Sequence, residues 1–369
     1  MILSLAVQSL PADLPRLESQ ILFQSGTGGY DTYRIPSMIV AKNGAVLAFC
    51  EGRKNSSGDA GDIDLLLRRS PDGGKTWSSP QVVWDDARNT CGNPCPVVDM
   101  QTGTIWLLST WNRGDDHEPQ IIAQRSRDTR RVFLLKSTDE GRTWSQPKEI
   151  TPEVKQSNWT WYATGPGAGI QLQRGTNKGR LVIPCDHIEA GTGRYYSHVI
   201  YSDDGGQNWT LGGRTPKHQV NECEVVERED GSLMLNMRSY DPNKKARQTA
   251  ISRQGGATWE DQKIRDELVD PICQASFRRL SWKRGTEPGV LLFSNAASTR
   301  REKMTVRASF DDGETWPLSR LVTPNPSAYS CLAALPKGQI GLLYETGEKS
   351  PYETIVFARI GLEWLKAGG

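Results

Sequence analysis

Short apolar runs alternate with turn signals along most of the chain, from Ile21 onwards. Six of these runs follow a glycine-bearing turn such as Asn43-Gly44, Thr102-Gly103 or Asp230-Gly231. Short apolar runs bounded by such turns are typical of β-strands. We therefore predict strands at residues 46–49, 105–108, 181–183, 233–235, 290–293 and 340–343.

One eight-residue motif, Ser-x-Asp-x-Gly-x-Thr-Trp, recurs through the chain. Its copies begin at residues 70, 137, 202, 252 and 309, so neighbouring copies start 67, 65, 50 and 57 residues apart. The fourth copy has Gln254 in place of the aspartate. An aspartate that accepts backbone N–H groups and a glycine with positive φ favour a tight turn, and the closing tryptophan can pin that turn against the neighbouring unit. We interpret each copy as a structural hairpin turn, because turn chemistry accounts for its recurring positions.

The spacing of the motif predicts the architecture. A mean period of about 60 residues matches a unit of four strands, and about six such units fit into 369 residues, one of them without a recognisable copy. Periods of this length with high β content are typical of radial repeats. We therefore predict an all-β fold, a six-bladed β-propeller with four-stranded antiparallel blades. We expect residues 21–369 to form one domain, after a lead-in at residues 1–20.

Net charge and hydropathy limit the partners and the cellular locations that the sequence predicts. The 45 basic and 43 acidic residues leave a net charge of +2, which does not indicate a nucleic-acid partner. No apolar run reaches 18 residues, so we predict no transmembrane segment. Residues 1–7 are apolar but few and lack a basic residue, so they are either a trimmed export signal or an ordinary first segment. We favour a secreted, periplasmic or lysosomal-like location, with the cytoplasm as the alternative.

The seven cysteines are scattered and show neither a Cys-x-x-Cys pair nor His-Cys metal spacing, so we predict no metal site. An odd number also argues against a full disulfide framework. Cys91 and Cys95 could pair with each other, but we favour buried free thiols.

Three arginines interrupt apolar stretches in separate units. Arg34 lies in Tyr-Arg-Ile-Pro, Arg238 follows an apolar run, and the pair Arg300-Arg301 precedes residues 304–306. An arginine between apolar neighbours is costly to bury unless it meets an anion. Alone, each is more often a structural ion-pair partner, but three from separate units could surround one carboxylate.

One polar loop and one predicted strand supply candidate acids, and a strand start supplies a tyrosine. The loop 51–62 is polar and directly follows a strand, which makes Asp59 and Asp62 candidate acids. Glu222 and Glu224 share one face of a predicted strand. Tyr329 stands at a strand start, where a tyrosine is usually a half-buried core residue.

Taken together, these residues resemble the exo-sialidases (neuraminidases), six-bladed propellers with repeated Asp-boxes, over nearly the whole chain. The Tyr-Arg-Ile-Pro segment and the recurring motif match those of the family. The family's order of Arg, Asp, Glu, Arg, Arg and Tyr is matched by Arg34, Asp59, Glu222, Arg238, Arg301 and Tyr329. The family's spacing favours Asp59 over Asp62, Glu222 over Glu224 and, less firmly, Arg301 over Arg300. Arg53 matches an accessory arginine of the pocket.

The resemblance implies retaining hydrolysis of terminal sialic acid from glycans, glycoproteins or glycolipids, without a cofactor or a metal. In this scheme Arg34, Arg238 and Arg301 bind the substrate carboxylate. Tyr329 is the nucleophile, because a neutral phenol avoids repulsion by that carboxylate, and sialidases depart from the usual two-carboxylate scheme in this way. Glu222 takes the phenol's proton and Asp59 protonates the leaving oxygen.

Three rival functions remain at the level of sequence. A sialic-acid-binding propeller without catalysis would lack Tyr329, Glu222 or Asp59, and all three are present. A trans-sialidase or anhydro-sialidase would use the same pocket with different loops, which the sequence does not label. A purely structural propeller would leave the strand-borne arginines unexplained.

Overall fold

The computed structural model describes residues 17–367, which form 24 strands, three short α-helices and one 3-10 helix. The first twelve strands are β1 (Glu18–Gln24), β2 (Thr32–Val40), β3 (Val46–Arg53), β4 (Ile63–Ser70), β5 (Gln81–Trp84), β6 (Thr90–Val98), β7 (Ile105–Asn112), β8 (Arg131–Ser137), β9 (Lys148–Glu149), β10 (Trp159–Thr164), β11 (Ile170–Gln171) and β12 (Leu181–Glu189). The other twelve are β13 (Arg194–Ser202), β14 (Thr210–Arg214), β15 (Val220–Glu227), β16 (Leu233–Ser239), β17 (Ala246–Ser252), β18 (Glu260–Val269), β19 (Ser276–Ser281), β20 (Val290–Ala296), β21 (Glu302–Ser309), β22 (Leu318–Ala334), β23 (Gln339–Thr346) and β24 (Thr354–Gly361). The helices are α1 (Glu118–Ile122), α2 (Thr151–Val154), α3 (Leu362–Lys366) and the 3-10 helix Pro336–Gly338.

The fold is all-β, and its strands form four mostly antiparallel sheets. Their strand orders are β2-β3-β4-β6-β7-β8-β9 with β5 beside β4, β10-β12-β13-β14 with β11 beside β12, β15-β16-β17-β18, and β19-β20-β21-β22-β23-β24-β1. The prediction of four-stranded antiparallel units is met in part, because the strands join into four sheets instead of six. A parallel bridge between Ile63 and Thr90 links β4 to β6. The 17-residue β22 pairs with β21 through its first half and with β23 through its second.

All six strands predicted from the sequence are confirmed, because their residues lie in β3, β7, β12, β16, β20 and β23. Each of these strands lies between two others in its sheet, and its apolar side chains are buried. In β3, for example, all eight residues are buried. The apolar runs therefore mark strands that sheet neighbours cover on both edges.

The predicted turns are also confirmed, since every copy of the motif begins at the last residue of a strand and leads into the next one. In the copy at residues 137–144, Asp139 accepts hydrogen bonds from the backbone N–H and the hydroxyl of Thr143, at 2.9 and 2.6 Å. In the first copy, Gly74 has φ of +90°, and a Cβ at this position would lie 2.2 Å from the ring of Phe357. Glycine is therefore required both by the turn and by the close packing.

The motif tryptophans pack against other units of the fold. Trp77 lies 5.0 Å from Phe357 of β24, and Trp144 lies 5.8 Å from Phe49 of β3, measured between ring centroids. Aromatic pairs at this distance contribute beyond the area that they bury. These two contacts confirm the expectation that the tryptophan pins the turn against a neighbouring unit.

The chain ends of the described region meet in one sheet. β1 pairs with β24, and α3 places the buried Trp364 against the adjoining core. β1 begins at Glu18, inside the predicted lead-in, of which residues 1–16 lie outside the described part of the chain.

All seven cysteines are buried free thiols, as the sequence favoured. None of the helices within residues 17–367 has the length and hydropathy to cross a membrane.

Candidate active site

A cavity of about 290 Å³ collects the predicted site residues. Charged, polar and aromatic side chains reach it from β2, β3, β6, β10, β12, β15, β16 and β22 and from the connecting loops. The seven residues selected by sequence all line it: Arg34, Arg53, Asp59, Glu222, Arg238, Arg301 and Tyr329. Residues separated by almost 300 positions in the chain therefore share one small volume.

A phenol and a carboxylate form the centre of the cavity wall. The hydroxyl of Tyr329 donates to Oε1 of Glu222 at 2.6 Å, and both residues are buried. Nη1 of Arg238 donates to Oε2 of Glu222 at 2.6 Å and to the Tyr329 oxygen at 3.1 Å. The carboxylate is thus in place to accept the phenol's proton, while a guanidinium stands beside the oxygen on which negative charge would develop.

Burial raises the pKa of Tyr329 well above its ordinary value, and the negative charge of Glu222 adds to this effect, while Arg238 opposes it. The phenol is therefore neutral in the free protein. A neutral tyrosine can approach an anionic ligand without charge repulsion, and it becomes a nucleophile only when a base removes its proton.

Arg34 and Tyr329 are oriented by one buried carboxylate. Oε1 of Glu345 accepts hydrogen bonds from Nε of Arg34 at 2.7 Å and from the backbone N–H of Ile35 at 2.9 Å. Oε2 of the same residue accepts from the backbone N–H of Tyr329 at 3.0 Å. Because Glu345 is fully buried, it fixes the Arg34 side chain relative to the backbone at Tyr329.

A second phenol links two of the arginines. The guanidinium carbon of Arg34 lies 4.0 Å from the ring centroid of Tyr352. Nη1 of Arg301 donates to the hydroxyl of Tyr352 at 2.5 Å. Tyr352 thereby contacts both side chains, and Arg34, Arg238 and Arg301 all line the cavity.

Arg53 lies between the candidate acid Asp59 and the buried part of the site. Nη1 of Arg53 lies 2.7 Å from Oδ1 of Asp59, and Nη2 of Arg53 donates to Glu51 at 2.7 Å. Partial burial works to raise the pKa of Asp59, but the charges of Arg53 and then Arg34 outweigh it and lower the pKa below its usual value. Two thirds of the Asp59 side chain is exposed, so solvent screens this effect. Asp59 is accordingly ionised in the free protein.

The structure separates the alternatives that the sequence left open. Arg301 lines the cavity, whereas the side chain of Arg300 is 81% exposed and pairs with Glu302. Asp62 is held by Lys54 at 2.8 Å, away from the cavity lining. Glu224 is fully buried and accepts hydrogen bonds from the Ser276 hydroxyl and the Phe277 backbone. Only the first member of each predicted choice, Asp59, Glu222 and Arg301, faces the cavity.

Sequence reasoning did not select several other lining residues. Two of them are Glu118 and Trp161. The others are Ile35, Glu51, Ser57, Asn93, Arg130, Ala163, Asp186, Asn221, Tyr240 and Tyr352. Asp186 carried a usable signal, because it is a charged residue that directly follows the apolar run at residues 181–185, a pattern similar to the one that identified Arg34.

Comparison with known proteins identifies the family of this chain. Residues 44–342 match the family model described as a BNR repeat-like domain. The chain is 34% identical to a sialidase of Micromonospora viridifaciens over 96% of its own length, and it spans 55% of that protein. It is 30% identical to an exo-alpha-sialidase of Aspergillus fumigatus, with 100% of this chain and 98% of that protein covered.

Among solved structures, the chain superposes on the Hadza microbial sialidase Hz136 with a TM-score of 0.85 and 32% sequence identity, covering 94% of this chain and 69% of that one. The similarity therefore extends over nearly all of the β fold described above. On the strength of the family match and of the full-length fungal relative, this chain belongs to the sialidases, a family of glycoside hydrolases with BNR repeat-like domains.

Proposed function

We propose that this protein is an exo-α-sialidase that releases terminal sialic acid with retention of configuration through a covalent tyrosyl intermediate. The observation that carries the proposal is the 2.6 Å hydrogen bond from Tyr329 to Glu222 in a cavity that three arginines also line. The substrates in this proposal are sialylated glycans, glycoproteins or glycolipids.

The proposed fold is a closed ring of six four-stranded blades. Dividing the two largest sheets at the Ile63–Thr90 bridge and at the middle of β22 leaves six runs of four strands, one of which carries the two-residue β11 as a fifth strand. Each run contributes at least one residue to the catalytic cavity: Arg34, Asn93, Asp186, Glu222, Arg301 and Tyr329 in chain order. Residues from all six runs also line a second cavity, near the other ends of the same inner strands. A ring around a central axis accounts for both cavities.

Substrate binding would begin with the three arginines. Sialic acid carries a carboxylate on its anomeric carbon, and charge-assisted hydrogen bonds from Arg34, Arg238 and Arg301 would fix the orientation of the ring. All three guanidinium groups keep their charge, and that of Arg34 remains bound to Glu345 through Nε, which leaves its terminal nitrogens for the ligand. The same contacts place the anomeric carbon beside the hydroxyl of Tyr329.

In the first displacement, the Tyr329 oxygen would form a bond to the anomeric carbon while its proton passes to Glu222. The bond to the leaving oxygen breaks, and Asp59 donates a proton to that oxygen. In the second displacement, Asp59 takes a proton from water, the water oxygen bonds to the anomeric carbon, and the phenol leaves and recovers its proton from Glu222. Two inversions return the original configuration.

Asp59 must gain a proton before it can act as the acid. In the free protein its pKa is lowered, mainly by the charges of Arg53 and Arg34 acting against burial. A bound substrate carboxylate would offset the positive charge of Arg34 and exclude water from the loop, and both changes raise the pKa of a neighbouring acid. Substrate binding would thus prepare the acid for the first step.

Hydrolysis of a fluorogenic sialoside, followed by proton NMR of the released sugar, tests the proposal. We expect turnover and the α-anomer as the first product, which then mutarotates. An initial β-anomer would exclude retention, and an anhydro sugar or transfer to an added acceptor would assign the pocket to one of the related reactions. Absence of turnover with tight binding of the sugar acid would indicate a binding protein instead.

The proposed location is outside the cytoplasm, in a secreted, periplasmic or lysosomal-like compartment, because sialylated glycans are carried mainly by exported and surface molecules. Cell fractionation followed by the fluorogenic assay tests this proposal. Activity confined to the cytoplasmic fraction would favour the alternative.

A further inference from the structure

Glu224 is a fully buried carboxylate that the proposed mechanism does not use, two residues beyond the base Glu222 on β15. Its Oε2 accepts hydrogen bonds from the hydroxyl of Ser276 at 2.8 Å and from the backbone N–H of Phe277 at 2.5 Å. Its Oε1 accepts from the backbone N–H of Ala168 at 3.1 Å. These partners lie 52, 53 and 56 positions away in the chain, so one carboxylate joins three separate segments.

The Ser276 hydroxyl extends this contact to the strand that carries the phenol. Besides donating to Glu224, it accepts a hydrogen bond from the backbone N–H of Leu332 in β22 at 2.8 Å. Leu332 lies three residues after Tyr329 on the same strand. Because β15 belongs to a different sheet from β22, these hydrogen bonds cross from the strand of the base to the strand of the phenol.

The segment 165–169, which leads from β10 to β11, packs directly against β15. The backbone N–H of Cys223, the residue between the two glutamates, donates to the carbonyl of Gly165 at 3.3 Å. A Cβ on Gly167 would lie 2.0 Å from Oε1 of Glu224. This close approach leaves the carboxylate no room to move towards the segment.

The same segment is tied to β22 by the side chain of Gln274. Its amide nitrogen donates to the carbonyl of Pro166 at 3.2 Å and to that of Ser330 at 3.0 Å. Its amide oxygen accepts from the backbone N–H of Ser330 at 3.0 Å. Since Ser330 directly follows Tyr329, a second hydrogen-bonded path connects the strand of the phenol with that of the base.

We propose that Glu224 is a positioning residue, which sets the spacing between Glu222 and Tyr329 by holding β15 to the segments around it. The inference rests on the proposed sialidase function. The 2.6 Å hydrogen bond between phenol and base joins strands of two different sheets, so a shift of β15 would lengthen it. A misplacement of about 1 Å can cost a reaction about 100-fold in rate. None of the three arginines that would bind the substrate carboxylate lies on β15, so ligand affinity should not depend on Glu224.

Glu224→Gln tests this role with a side chain of the same size. Each carboxylate oxygen accepts from one backbone N–H, so either orientation of the amide turns its NH₂ group towards a donor. We expect kcat to fall about 10- to 100-fold, while calorimetry shows a dehydrated sialic acid analogue binding within about threefold of wild type. An unchanged kcat, or an equal loss of kcat and of affinity for the analogue, would overturn the proposal.

Glu227 provides a matched control on the same strand. It is buried, and its two oxygens accept from the backbone N–H groups of Gln173 and Arg174 at 2.6 and 2.8 Å. Within residues 17–367, none of its side-chain hydrogen bonds reaches β19 or β22. Glu227→Gln and Glu224→Gln should each lower the melting temperature by about 2–4 °C, but only Glu224→Gln should lower kcat. An equal fall in kcat for both variants would assign the effect to lost stability and contradict the proposal.

Ser276→Ala tests the path between the two strands. It removes the donor to Glu224 and the acceptor for Leu332, so kcat should fall about 10-fold with analogue binding unchanged. The double variant with Glu224→Gln should lose less than the product of the two single effects, because both residues act through one path. Independent, multiplying effects would overturn this path.

Turnover of a fluorogenic sialoside by the wild type is measured first. Its absence would refute the proposed function itself. Turnover by the wild type together with an unchanged kcat in Glu224→Gln and Ser276→Ala would refute only the positioning role of Glu224.

Discussion

At the scale of single residues, the site depends on pairs in which one side chain sets the protonation or the orientation of another. Burial and Glu222 keep Tyr329 protonated, and Glu222 is also the group that can remove this proton. Glu345 orients Arg34 and the backbone of Tyr329 together. Binding and bond formation are therefore separable by mutation, since each arises from a different member of the same network.

Replacing Tyr329 by phenylalanine tests the nucleophile. Tyr329→Phe should lower kcat by at least about 1,000-fold, because the attacking oxygen is lost, while a dehydrated sialic acid analogue still binds within about threefold of wild type. Steady-state kinetics and calorimetry measure the two effects. Tyr344, a buried tyrosine of the adjacent β23, provides the matched control, and Tyr344→Phe should leave kcat unchanged. Normal turnover in Tyr329→Phe would refute the assignment.

The neighbouring pair Arg300 and Arg301 offers a direct test of the carboxylate site. Arg301→Ala should weaken binding of free sialic acid by about 2–3 kcal/mol, the usual worth of a charge-assisted hydrogen bond at a buried site. Arg300→Ala should leave the affinity unchanged, because that side chain is 81% exposed and points away from the cavity. Equal effects of the two variants in a calorimetric titration would contradict the choice of Arg301.

Tyr352 should act as a positioning residue for the same site. Tyr352→Phe keeps the ring beside Arg34 but removes the oxygen that accepts from Arg301. We expect KM to rise about three- to tenfold, corresponding to the loss of about 1 kcal/mol, with kcat nearly unchanged. A fall in kcat comparable to that of Tyr329→Phe would instead place Tyr352 in the chemistry.

At the scale of elements, the recurring motif joins strands through turns. The copies differ in the hydrogen bonds that the side chain at the aspartate position makes. Asp139 accepts two hydrogen bonds from Thr143, whereas in the degenerate copy the side chain of Gln254 makes no hydrogen bond within the described chain. Loss of contact with water works to raise the pKa of Asp139, but the Thr143 hydrogen bonds outweigh it and lower the pKa to about 2. The turn is therefore more stable when Asp139 is ionised than when it is protonated.

Asp139→Ala should lower the melting temperature at pH 7 by about 1–2 °C, which corresponds to about 1 kcal/mol in a chain of this length. Because the folded-state pKa lies below the unfolded value of about 3.9, this contribution is fully present above pH 5 and disappears as the pH falls towards 2. Calorimetric scans across this range measure the difference from wild type. A difference that is constant with pH would exclude the ionised turn as its cause.

Restoring the aspartate in the degenerate copy of the motif is expected to stabilise the fold. Gln254→Asp would place a carboxylate opposite Thr258, as in the intact copies, and should raise the melting temperature by about 1 °C. Gln254→Ala is the matched control and should have little effect. A drop in melting temperature for Gln254→Asp would show that this copy has adopted a turn that the aspartate does not fit.

At the scale of the whole molecule, the cavity exists only because distant segments meet. Tyr329 and Glu222 are 107 positions apart, and Arg34 and Glu345 are 311 apart, yet each pair is joined by a hydrogen bond below 3 Å. Ligand binding at such a place should stabilise the entire fold, since the site is absent in the unfolded chain.

A dehydrated sialic acid analogue at about 100 times its dissociation constant should therefore stabilise the folded protein by about 2.7 kcal/mol. Differential scanning calorimetry should show a single transition that shifts to higher temperature with ligand concentration. The Arg301→Ala variant should require proportionally more ligand for the same shift. A shift confined to part of a multi-step transition would contradict the expectation that the whole fold unfolds as one unit.

The sequence by itself determined the strand class and the positions of the turns, because these depend on local signals. An apolar run of strand length, an aspartate-glycine turn and an arginine between apolar neighbours each act within a few residues. This is why residues 46–49 and the turn at Asp139 were predictable without a structure.

Only the tertiary structure decided the choice between adjacent candidates and the shape of the cavity. Whether Arg300 or Arg301 turns inward, and whether a carboxyl such as Asp186 finds a partner, depends on groups that lie far away in the chain. The joining of strands into four sheets likewise depends on one bridge and one long strand that no local signal marks. Distance, burial and hydrogen bonding between remote residues are properties of the folded chain, and they decide which charged residues belong to the site.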